Sequence, residues 1–134
     1  MCHYTLEEIR NIRRTINELG FEGREILEKY SDEHLREICN GIGPDWMPEL
    51  ARDVISVMNP ALEPVAALHD VAFYEGGSRE QFLEANRCFA ANGTLAAKAE
   101  YRWYDPRRYR VIWQARKFAV ICDRFGWTAW PPQR

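Results

Sequence analysis

Apolar residues recur at helical spacing along most of this chain, and nowhere do they alternate in the two-residue rhythm of a strand. Leu6, Ile9, Ile12, Ile16 and Leu19 make one stripe opposite a charged face from Glu7 to Arg14. Thr5 followed by Glu8 opens that helix as a capping box and Gly20 closes it. Glu25 to Tyr30 and Asp32 to Cys39 predict two short helical pieces, with Ser31 as the cap between them. Asn40-Gly41-Ile42-Gly43-Pro44-Asp45 predicts a loop, by itself no more than a plain turn. Pro48 to Met58 resumes helical spacing through Leu50, Val54 and Val57, until Asn59-Pro60 ends it and starts the next helix. That helix carries Val65, Leu68, His69, Phe73 and Tyr74 and stops at Gly76-Gly77. Ser78 with Gln81 caps a long helix reaching about Tyr104, with Asn92-Gly93 as a point of interruption. Asp105-Pro106 opens a last helix with Tyr109, Ile112, Trp113, Arg116 and Val120, ended by Gly126. Trp127, Trp130, Pro131 and Pro132 form an aromatic tail expected to cover the end of the core.

The expected fold is therefore all-α, in one domain spanning residues 1–134 without repeat, low-complexity segment or linker. Eighteen basic against 20 acidic residues leave a net charge of −2, which gives no basic field for nucleic acid and no polybasic patch to hold an anionic membrane. No apolar run approaches a bilayer span and no apolar signal segment is visible, so the expectation is a cytoplasmic protein without a transmembrane segment. Cys2, Cys39, Cys88 and Cys122 lack paired spacing and are expected to be free thiols. His3 and His34 are expected at the surface. Arg107, Arg108 and Arg110 beside Trp103, Tyr104 and Tyr109 predict a solvated helix start whose aromatics join the core. A platform for lipid headgroups or stacked bases is the alternative.

His69-Asp70 is the candidate chemistry. His69 lies seven residues before Gly76 and Asn86 nine after Gly77, so both sit roughly 10 to 14 Å from the turn and can face each other across two helices that double back. Helical neighbours point about 100° apart, so the histidine can address water and substrate while the aspartate addresses the glycine loop.

Taken together, Asn40-Gly41-Ile42-Gly43-Pro44, His69-Asp70, Gly76-Gly77-Ser78 and Ala85-Asn86 with Phe89 resemble the phospholipase A2 superfamily, in particular its short phage and bacterial members, over residues 38–125. The resemblance implies an antiparallel helix pair carrying the site and a calcium ion held by the carbonyls of Gly41, Gly43 and Asp45 and both oxygens of Asp70. It implies His69 as general base, acting with Asp70 and with residue 86 as orienter, and a phospholipid ester as substrate. Four positions depart from the family's pattern. Asn86 stands where it has an aspartate, Phe73 where it has a tyrosine, and Ile42 and Ala66 where many relatives have cysteines. The last two are apolar and suit a reducing compartment. An amide at 86 can orient an imidazole but cannot stabilise an imidazolium. In serine proteases the corresponding change lowers turnover about 10⁴-fold. The resemblance therefore implies a calcium-dependent ester hydrolase of reduced activity or, alternatively, a phage-associated binding or structural module that keeps the fold without turnover.

Overall fold

In the computed structural model residues 4–41 and 58–133 are described, the side chains of Asn40 and Gly41 excepted. Among them the chain is all-α: α1 (Leu6–Leu19), α2 (Asp32–Gly41), α3 (Glu63–Glu75), α4 (Arg79–Glu100) and α5 (Pro106–Phe125), joined by short 3-10 segments at Arg24–Lys29, Pro60–Leu62 and Trp127–Ala129. None of these helices is long and apolar enough to cross a membrane. The expected helix over Pro48 to Met58 lies outside the described residues except for its last residue.

Local chemistry sets the boundaries. Thr5 and Glu8 exchange hydrogen bonds at 3.2 and 3.1 Å. At the other end of α1, Gly20 takes a left-handed conformation while its own N–H and that of Phe21 reach back to Asn17 and Ile16. Ser31 Oγ accepts from the His34 N–H, capping α2. Ser78 and Gln81 close a capping box at 2.7 and 3.2 Å, and Asp105 accepts from the Arg107 N–H at 2.9 Å.

Asn92-Gly93 does not interrupt α4. The amide of Asn92 reaches sideways, accepting from the Glu22 N–H at 2.7 Å and donating to the Glu22 carbonyl at 3.0 Å, which ties the turn after α1 to the middle of α4. Gly93 sits where α5 crosses: a Cβ there would lie 2.3 Å from the Cβ of Ala115. The helix does stop earlier than expected, at Glu100, because Tyr101 turns extended and its hydroxyl accepts from the Asn59 amide at 2.9 Å.

The main core gathers Ile9, Ile16, Phe21, Leu35, Val65, Val71, Phe89 and Phe118 with their neighbours, and a smaller cluster holds Phe73, Phe82 and Trp130. The second cluster fixes the α3–α4 turn. Gly77 donates its N–H to the Pro131 carbonyl at 3.0 Å, and the Trp130 indole donates to the Gly77 carbonyl at 3.0 Å. Gly76 must lack a side chain, since a Cβ would lie 2.3 Å from the Pro131 oxygen, and its φ of 69° is itself left-handed. The aromatics near the arginine cluster do not join the core. Trp103, Tyr104, Tyr109 and Trp113 are more than half exposed, with Lys117 stacked over Trp113. His34, expected at the surface, is half-buried, its ring edge-on to Tyr30 and Tyr74.

Candidate functional site

His69 lies in the body of α3 and is only 4% exposed. Phe73, Phe89 and Phe118 surround its ring at centroid distances of 5.0, 5.3 and 5.5 Å. Across from it on α4 is Asn86, wholly buried, whose Oδ1 stands 2.8 Å from His69 Nε2. The amide's other end donates to Oδ1 of Asp123, in the last turn of α5, at 2.9 Å. Three helices thus contribute one side chain each to a chain of hydrogen bonds that runs from the exposed Asp123 to a buried imidazole. Burial pushes His69 down to about 4, although the Asn86 bond works against that shift, so at neutral pH the ring is uncharged.

Asp70, the next residue, meets a different neighbourhood. It is half-buried, and burial pushes its carboxyl up to about 8. Its charge adds to the burial that lifts the thiols of Cys39, near the end of α2, and Cys122, on α5, each to about 12. Of the oxygen set expected for calcium, Gly41 is the last residue of α2, whereas Gly43 and Asp45 lie outside the described residues. Calcium takes about six to eight oxygens, yet among the described residues no three His, Cys, Asp or Glu side chains converge. On those residues the fit to calcium is incomplete.

Beside the histidine a groove of about 390 Å³ opens between α3 and the first turns of α4. Its walls are Val65, Leu68, Ala72, Ala85, Phe89 and Trp130, with His69 among them. Its rim is acidic: Glu22, Glu75, Glu80 and Glu84 line it. Arg87 bridges Glu22 and Glu84 at 3.2 and 2.6 Å, and Lys29 pairs with Glu75 at 2.6 Å, while the Tyr30 hydroxyl also donates to Glu75. Among the described residues, these two cations pair with three of the four carboxylates.

Asp123 is the member of this site that sequence reasoning passed over. One signal was there to find it: a carboxylate in the last turn of a helix opposes the helix dipole and calls for a partner. The groove and its acidic rim have no sequence signature, because their residues come from the turn after α1, from α3, from α4 and from the tail. No protein-family model, curated protein or solved structure matches the chain.

Proposed function

We propose that this chain is a phospholipase A2-like module that seats the acyl part of a phospholipid ester in the groove beside His69, with little or no turnover. The observation that carries this reading is a buried imidazole, hydrogen-bonded to an amide, in the wall of a largely apolar groove of about 390 Å³. A cavity of that size matches a single small amphiphile or acyl chain. Low turnover follows from two features. The ring resists protonation because it is buried among three phenyl rings, and Asn86 offers it no compensating charge. The acidic rim favours a zwitterionic headgroup over an anionic one.

The second reading, a calcium-dependent hydrolase, draws support from one feature. With Nε2 committed to Asn86, Nδ1 is the ring nitrogen left to take a proton from water. Calcium would then be held by Asp70 with oxygens of the glycine loop, supplying polarisation of the ester carbonyl.

Short-chain phosphatidylcholine micelles separate the two, read by tryptophan fluorescence for binding and by acid release for hydrolysis, with and without millimolar calcium. Saturable binding independent of calcium with negligible acid release is expected. Brisk calcium-dependent hydrolysis abolished in Asp70→Asn and His69→Ala selects the enzyme, and no binding at all removes both readings.

A further inference from the structure

We propose that Asp123 sets the tautomer of His69 through Asn86, making it a positioning residue for the buried imidazole. The inference follows from donor and acceptor chemistry. A carboxylate oxygen accepts hydrogen bonds, so the end of the Asn86 side chain that lies 2.9 Å from Asp123 Oδ1 is its NH₂. The opposite end, 2.8 Å from His69 Nε2, is then the carbonyl oxygen, which also only accepts. His69 must therefore carry its proton on Nε2 and its lone pair on Nδ1. Reversing the amide would set two acceptors against each other at Asp123. Asn86 is wholly buried, so bulk solvent does not reach it and its polar atoms depend on these two partners. The exposed Asp123 thus dictates, at one remove, which nitrogen of a buried ring can act as a base.

The consequence for turnover rests on the lipid-ester reading of the groove, whereas the tautomer is read with no lipid present. Asp123→Lys replaces an obligate acceptor with an obligate donor at an exposed position of a helix C-terminal turn, where a cation is welcome. The Asn86 carbonyl should then turn outward to accept from the ammonium, presenting NH₂ to Nε2 and moving the imidazole proton to Nδ1. Asp123→Ala removes the bias and should let both tautomers populate.

Long-range ¹H–¹⁵N correlation of the imidazoles at pH 8 reads the tautomer directly, with His69→Gln identifying the signals and circular dichroism checking the fold. The expected result is Nε2–H alone in the wild type, Nδ1–H in Asp123→Lys and a mixture in Asp123→Ala. Nδ1–H in the wild type, or Nε2–H unchanged in a folded Asp123→Lys, overturns the proposal. Should Asp123→Lys fail to fold, the alanine variant decides: a mixture supports the proposal and an unchanged spectrum ends it. Because micelle binding plays no part here, its absence would count against the phospholipid reading alone.

Discussion

Position 86 is where one side chain decides what the site can do, and its neighbour changes the obvious experiment. Asn86→Asp alone would supply the carboxylate behind His69 but face it toward Asp123, from which the amide now stands 2.9 Å. Two carboxylates at that distance share a proton rather than both ionise. The productive variant is Asn86→Asp with Asp123→Asn. If the groove seats a lipid ester as proposed, micelle hydrolysis should rise in the double variant above both the single variant and the wild type, and His69→Ala should remove the gain. The pH dependence of stability has two large, opposing contributors. The unfolded chain protonates His69 near 6.5 while the folded ring waits until about 4, so stability falls as pH drops through that window, by on the order of 3 kcal/mol. Asp70 acts oppositely: its folded pKa of about 8 exceeds its ordinary 3.8, so stability is lost as pH rises between those values. Their slopes oppose each other from about pH 4 to 6.5, and from 6.5 to 8 only Asp70 of the two still contributes a slope. Urea midpoints across that range should be level and then decline, and Asp70→Asn should abolish the decline. A decline equally steep in the variant would contradict this.

Among the elements, the crossing of α4 and α5 at Gly93 depends most on a single small residue. Gly93→Ala places a Cβ 2.3 Å from that of Ala115, so the helices must part. A loss of about 1–3 kcal/mol is expected by urea denaturation, and adding Ala115→Gly should return part of it. The same crossing explains what sequence reasoning saw and missed here. Caps and ends at Thr5, Gly20, Ser31, Ser78 and Asp105 are written in local hydrogen-bonding chemistry and were legible in order. The buried face of α5 was not, because the large aromatics Tyr109 and Trp113 lie on its exposed side. The face that packs is Val111, Ala115, Phe118 and Cys122, where small residues let a close neighbour in. Gly93 read as an interruption for the same reason: close approach of a second helix is not visible from one.

For the whole molecule, the site was half legible. The positions of His69 and Asn86 about the glycine turn could be counted along the chain, since turn and helix rise are local properties. Asp123, 37 residues beyond Asn86, depends on how α5 crosses and could not be counted. The thiols give a test at this scale. Cys39, Cys88 and Cys122 are free, with burial lifting them to about 12, 11 and 12. Titration with a thiol reagent in denaturant without reductant should return all four cysteines. In the native protein at pH 8, Cys39 and Cys122 should react far more slowly than an exposed thiol, because almost none of either is thiolate. Prompt native reaction at both would mean that the packing that buries them opens readily.

The strap formed by Trp130 and Pro131 across Gly77 links residues 53 apart in sequence, with all of α4 and α5 between them. Closing so long a loop for two hydrogen bonds and one indole is entropically unfavourable until the two helices have already paired. Assembly therefore has an order: the helix pair first, the strap last. Trp130 is also a wall of the groove, so the groove is complete only while the strap is closed. A molecule lodged there would hold the strap down, and its dwell time would be governed by the rate at which Trp130 lifts away from the glycine turn.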